Sequence, residues 1–129
     1  MLGHKTGAYY LDGMVSASAA TPDLIHLLER AGPYGAGNPE PRLAIASARV
    51  GKAEIVGSKH VRAILTGEDG RGRLKSIAFG AAEGALGSTL LSVGKTPLHV
   101  AGCLRTNVWQ GETSAQLILH DVARPAGGI

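Results

Sequence analysis

Residues 96–109, Thr-Pro-Leu-His-Val-Ala-Gly-Cys-Leu-Arg-Thr-Asn-Val-Trp, decide the fold class, because their side chains alternate with a period of two. Alternation of this kind is typical of a β-strand whose two faces meet different surroundings. One face has the pattern of a core and holds Leu98, Val100, Gly102, Leu104, Thr106 and Val108. The other face holds His99, Ala101, Cys103, Arg105, Asn107 and the only tryptophan, Trp109. The stretch therefore predicts a strand with an outer face that carries a cation, an amide and a large ring.

The same period recurs outward from this strand, with glycine-rich or charged turns between the segments. The strands are predicted at about 42–51, 60–67, 73–80, 96–109 and 114–123. Residues 81–92 indicate a short helix, which Gly84 and Gly87 weaken. Three strands, a helix and two strands are the element order of the OB-fold, a five-stranded β-barrel. We therefore predict a mainly β protein with an OB-fold, although other small barrels are compatible with this order.

A second helix is predicted before the barrel, over residues 22–31. Thr21 suits the N-cap, Pro22 the first helical position and Asp23 the positive end of the helix dipole. An apolar stripe with helical spacing follows, formed by Leu24, Leu27, Leu28 and Ala31, and its three leucines are expected to pack on the barrel. The predicted organisation is a terminal or linker segment (1–20), a connecting helix and Gly/Pro-rich elbow (21–41), the OB-fold (42–124) and a tail (125–129).

Composition limits the classes of protein that this chain can represent. Its 129 residues suffice for one domain with a core. The single cysteine, Cys103, excludes an internal disulfide and any zinc site with several cysteines. No apolar run approaches the ~20 residues that span a bilayer, and the N-terminus lacks the pattern of a signal peptide. We expect a protein of the cytoplasm with no membrane partner.

The net charge of +3 is distributed unevenly along the chain. Residues 1–41 contain two Lys/Arg against four Asp/Glu, and residues 76–129 contain three of each. Residues 42–75 contain eight Lys/Arg against three Asp/Glu, a balance of +5. A basic block inside a folded domain suits a polyanionic partner, because bound phosphates release counterions. An ordinary solvated face is the competing interpretation.

Catalytic and metal-binding motifs are not found in the sequence. Gly94-Lys95-Thr96 resembles the end of a phosphate-binding loop, but Thr89 stands where that motif requires glycine, and a strand follows instead of a helix. The five histidines form no short-spaced ligand pair, and the acidic residues are scattered. No nucleophile elbow is identifiable. We therefore predict no catalytic residue, no metal ligand and no cofactor in this chain.

Candidate binding residues lie on two parts of the predicted barrel. Arg62, Arg73 and Lys75 flank one hairpin and could form a basic stripe that contacts phosphates, although each could equally be a solvated cation. Arg105, Asn107 and Trp109 share the outer face of the fourth strand, where a ring beside a guanidinium suits the stacking of bases. The alternative for Trp109 is that the ring caps the barrel or packs against a neighbouring domain.

Four segments in order resemble one known family. The proline- and glycine-rich elbow, Gly32-Pro-Tyr-Gly-Ala-Gly-Asn-Pro-Glu-Pro41, is similar to the segment that precedes the OB-fold of bacterial RecJ exonucleases. Val56-Gly-Ser-Lys-His-Val61 looks like the start of that family's second strand, and Ile77-Ala-Phe-Gly80 like the end of its third. Asn107-Val-Trp-Gln-Gly111, followed by Gln116-Leu117, looks like its final hairpin. The resemblance covers residues 20–123.

The resemblance implies a function for a parent protein. RecJ enzymes are 5′→3′ exonucleases on single-stranded DNA that act in repair and recombination with Mg²⁺ or Mn²⁺. Their Asp-His-His motif belongs to an upstream catalytic domain and does not occur here, so this chain alone should be inactive. Its expected partners are single-stranded DNA and the upstream catalytic domains of the same chain. The alternative is a small barrel that serves protein or interdomain interaction without touching DNA.

Overall fold

The computed structural model describes residues 4–6, 9–31 and 40–124, and these contain eight strands and two helices. Short strands β1 (His4–Thr6), β2 (Tyr9–Leu11) and β3 (Gly13–Met14) come before the first helix. The other elements are α1 (Pro22–Ala31), β4 (Leu43–Val56), β5 (His60–Thr66), β6 (Leu74–Ala78), α2 (Ala85–Ser92), β7 (Leu98–Trp109) and β8 (Glu112–Ala123). The predicted tail (125–129) and most of the elbow lie outside the described residues.

Strands β4 to β8 form a closed five-stranded barrel. Their order in the sheet is β4-β5-β6-β8-β7, and β7 also pairs with β4, which closes the circle. The pairing of β6 with β8 is parallel, whereas the other four barrel pairings are antiparallel. Helix α2 lies in sequence between the third and fourth barrel strands. This architecture confirms the prediction of a mainly β protein with an OB-fold.

Strand β4 is longer than predicted because it pairs with both neighbours. Its first part pairs with β7 through Leu43–Ala48, and its second part pairs with β5 through Arg49–Val56. The register shifts once in each part, and a residue with a left-handed backbone lies at each shift, Ser47 (φ 51°) and Lys52 (φ 49°). Such bulges bend a strand without ending it. The predicted end of the strand, at about residue 51, is therefore a bend within it.

The core is built from aliphatic side chains that point into the barrel. The least exposed large members from the barrel strands and α2 are Ile45, Val61, Leu65, Leu74, Leu90, Leu98, Val100 and Leu117. Ser76 is the buried polar residue among them, and its hydroxyl donates a hydrogen bond to the carbonyl of Ala63 at 2.8 Å. Inward residues such as Ala63, Leu65 and Ser76 alternate with outward ones such as Arg62, Ile64 and Lys75. The packed interior thus fixes which side chains lie on the outer face.

Helix α1 packs against β7 and β8 through only part of the predicted stripe, Leu24 and Leu28. Thr21 is the N-cap, since its Oγ1 accepts a hydrogen bond from the N–H of Leu24 at 3.3 Å. Ile25 is 1% exposed and joins the core with Leu24 and Leu28 beside it, whereas Leu27 is 59% exposed. The prediction for Leu27 was therefore wrong. At about 100° per residue, Leu24, Leu28 and Ile25 share one arc, and Leu27 lies about 100° from its centre.

Candidate nucleic-acid interface

A groove of about 540 Å³ lies on the outer face of the barrel and brings together five of the six predicted binding residues. We call it the tryptophan groove. Its lining residues come from strands β4 to β8 and the loop before β6: Lys52, Glu54, Arg62, Ile64, Arg73, Lys75, Asn107, Trp109 and Gln116. Of the predicted residues, Arg62, Arg73, Lys75, Asn107 and Trp109 are present and Arg105 is not.

The strand register explains why residues distant in sequence meet in this groove. Lys75 of β6 lies opposite Ile64 of β5 on one side and opposite Gln116 of β8 on the other. Residues that lie directly opposite one another in a sheet share a face. Glu54 of β4 lies opposite Arg62 of β5 in the same way. The outer faces of β5 and β6 therefore form the floor, and the end of β7 supplies Asn107 and Trp109.

The lining of the tryptophan groove is predominantly basic. It contains four cations, Lys52, Arg62, Arg73 and Lys75, against one carboxylate. That carboxylate, Glu54, is paired with Arg62, whose Nε donates to Glu54 Oε2 at 3.1 Å. Among the described residues, no ion pair joins Lys52, Arg73 or Lys75 to an acidic side chain. These three cations therefore leave a positive potential in the groove.

Trp109 stands at the rim, next to the turn that joins β7 to β8. The turn residues Gln110 and Gly111 both have left-handed backbones, with φ of 51° and 80°. The indole side chain is 67% exposed, so it does not cap the barrel core. Within this chain, the ring offers an aromatic surface beside the cations Lys75 and Arg73.

Arg105 belongs to a different cluster. Its Nη2 donates to Glu40 Oε1 at 2.8 Å and its Nε donates to Glu40 Oε2 at 3.1 Å, a two-point ion pair. The hydrogen bond from Arg105 lowers the pKa of the Glu40 carboxyl, and the same bond raises the pKa of Arg105. Burial, followed by the charge of Arg105, lowers the pKa of nearby His120. Arg105 thus holds the segment before β4 against β7 and does not line the tryptophan groove.

Four groove residues were not predicted as binding residues: Lys52, Glu54, Ile64 and Gln116. Lys52 belongs to the basic block of the sequence, but only the bulge in β4 brings it to the groove. Gln116 faces the groove because β8 pairs with β6 in parallel, a long-range pairing that its own segment does not indicate. Within residues 4–6, 9–31 and 40–124, no three His, Cys, Asp or Glu side chains form a group that could hold a metal ion. The helices of the same residues include none long and apolar enough to cross a membrane.

The fold and the groove together define a class of protein. The tryptophan groove lies on the face of the second and third barrel strands and beside the turn between the fourth and fifth. OB-fold domains bind oligonucleotides and oligosaccharides at this place. A family model for the RecJ OB domain matches residues 11–121, and the chain belongs to this family. The resemblance found in the sequence is thereby confirmed.

The chain is also similar to several solved structures. RecJ from Thermus thermophilus, crystallised once in complex with Mn²⁺ and once with Mg²⁺, is 25% identical with a TM-score of 0.63. Each match covers 89% of this chain but only 16% of the Thermus RecJ chain. The single-stranded-DNA-binding (SSB) domain of a Synechococcus protein also matches, at 16% identity and a TM-score of 0.47, over 64% of this chain and 93% of that one. No curated protein matches the sequence.

Proposed function

We propose that this chain is the single-stranded-DNA-binding domain of a RecJ-type 5′→3′ exonuclease that acts in DNA repair and recombination. The observation that carries the proposal is the tryptophan groove, which Lys52, Arg73 and Lys75 line together with the exposed ring of Trp109. Cations that follow a backbone, combined with a ring on which a base can stack, are the usual means of binding single strands without sequence preference.

The groove provides binding and not hydrolysis in this proposal. Contacts between lysine or arginine side chains and phosphates fix the position of the strand, but they do not distinguish one base from another. Asn107 and Gln116 add amide groups that can donate to phosphates or bases. The strand would be held here while an upstream catalytic domain of the parent protein cleaves it. We assign the Mg²⁺ or Mn²⁺ to that domain, since the similar Thermus RecJ was crystallised with both ions.

Fluorescence anisotropy with a labelled oligothymidylate at two salt concentrations tests the proposal. The affinity of the unmodified chain should fall steeply as salt rises, because counterions are released on binding. The double variant Arg73→Glu/Lys75→Glu should lose most of this binding at low salt. The control Arg30→Glu/Lys59→Glu changes the net charge equally, but both of its side chains are exposed and outside the groove.

Two results would contradict the proposal. If the groove variant binds as the unmodified chain does, the groove is not the contact, and a module for protein or interdomain interaction becomes the better assignment. If the control loses as much affinity as the groove variant, the binding reflects net charge and not this surface. Circular dichroism of each variant establishes that the fold is retained.

A further inference from the structure

A second depression, of about 400 Å³, continues the tryptophan groove across the barrel. We call it the distal basin. Its lining comes from β4, β5, the loop before β6 and the connection from α2 to β7: Arg49, Val50, Gly51, Lys52, Ile64, Thr66, Arg73, Gly94 and Lys95. Lys52, Ile64 and Arg73 line both depressions. The two are therefore halves of one path, with Trp109 at one end and Lys95 at the other.

The distal basin is more basic in character than the tryptophan groove. Its lining contains four cations, Arg49, Lys52, Arg73 and Lys95, and no acidic side chain. The apolar residues of the lining are Val50 and Ile64, together with two glycines. The lining contains no aromatic ring on which a base could stack. This composition suits the phosphates of a strand more than its bases.

Arg49 fixes the walls of the distal basin. Its Nη1 donates to the carbonyl of Lys95 at 3.0 Å and its Nε donates to the carbonyl of Glu68 at 3.4 Å. One side chain of β4 therefore connects the β5–β6 loop with the segment before β7. Gly94, with φ of 63°, forms the turn there, and a Cβ built on it would meet nothing within 4 Å. The wall beside Lys95 is thus held in place and open to an approaching backbone.

We propose that the distal basin is a second phosphate-binding subsite, so that a single strand runs from Trp109 over Arg73 to Lys95. The inference rests on the proposed function, because it extends the path of the bound single-stranded DNA from the tryptophan groove into the distal basin. A short oligonucleotide would be held at the tryptophan groove, which has the ring and the shared cations. A longer one would also contact Lys95. OB-folds cover about 4–16 nucleotides per domain, which leaves room for both halves.

Binding of two oligothymidylates, of about four and about twelve nucleotides, tests the inference with the variant Lys95→Ala. One lost phosphate contact lowers the slope of log affinity against log salt by about 0.7 for single strands. Lys95→Ala should show this decrease with the longer oligonucleotide and leave the shorter one unchanged. The side chain does not take part in the bond to Arg49, which uses the carbonyl, so the wall is retained. Lys59→Ala, an exposed cation outside both depressions, is the matched control.

The outcomes separate this inference from the proposed function. If Lys95→Ala leaves binding of the longer oligonucleotide unchanged while Arg73→Glu/Lys75→Glu abolishes it, the tryptophan groove binds DNA and the distal basin does not. If Lys95→Ala weakens both lengths equally, or Lys59→Ala matches it, the effect is not a length-dependent contact and the inference is overturned. If neither length binds to the unmodified chain, the proposed function fails, and the second subsite fails with it.

Discussion

At the scale of single residues, Trp109 differs from the buried apolar side chains of the barrel strands. The buried members of β7 and β8, such as Leu98, Val100 and Leu117, are removed from water by the barrel itself. Trp109 and its neighbour Val108 lie beyond the part of β7 that pairs with β4, and both are more than half exposed. A large ring left in water beside cations makes little contribution to the stability of this domain, which makes a binding role the more consistent interpretation.

Trp109→Ala should separate binding from folding. If the ring stacks on a base, its loss should weaken binding of single-stranded DNA by about 1–3 kcal/mol, with the salt dependence unchanged because no phosphate contact is removed. Trp109→Phe keeps an aromatic face and should recover part of the affinity. Anisotropy titrations measure the affinity, and thermal melts measure stability. Unfolding of the Ala variant would show instead that the ring belongs to packing.

At the scale of elements, tertiary packing explains residues of both helices that local sequence patterns do not explain. Gly87 weakens α2 by propensity, but a Cβ at this position would overlap the carbonyl oxygen of Ala81. The absent side chain therefore allows the close approach of α2 to the segment before it. In α1, Leu24 and Leu28 are partly buried against the core, whereas Ile25 is almost completely buried.

A pair of substitutions in α1 measures this difference. Ile25→Ala removes a side chain that is 1% exposed and should lower the free energy of unfolding by about 2–4 kcal/mol, through lost burial and a cavity. Leu27→Ala removes a side chain that is mostly in water and should change it by about 0.5 kcal/mol or less. Urea denaturation gives both values. Equal losses would contradict the packing of α1 described above.

At the scale of the whole molecule, local patterns predicted the elements but not all of their contacts. Period-two alternation sufficed to predict five strands and their order along the chain, because the hydrophobic face of a strand is a local property. It did not predict the extent of β4, since bulges at Ser47 and Lys52 bend a strand that must pair with two neighbours. It placed Arg105 on the correct face but not beside Glu40, which is 65 residues earlier in the chain. Pairing between distant segments decides which outward residues share a site.

The cluster around Arg105 makes stability depend on pH in a predictable direction. Burial and the charge of Arg105 lower the pKa of His120, so below its ordinary value of about 6.5 the unfolded chain binds a proton there that the folded chain does not. Stability should therefore fall as pH decreases from about 6.5 to the lowered pKa of the folded state. The lowered pKa of the Glu40 carboxyl acts at more acidic pH. Stability should fall again as the pH decreases below 4.5, the ordinary pKa of this group.

His120→Gln tests the first of these two decreases, because glutamine cannot take up the proton. Denaturant midpoints of this variant should fall less between pH 7 and the pH at which Glu40 begins to titrate than those of the unmodified chain. His26→Gln removes a largely exposed histidine of α1 and should leave the decrease in place. If His26→Gln flattens the profile and His120→Gln does not, the acid sensitivity arises outside this cluster.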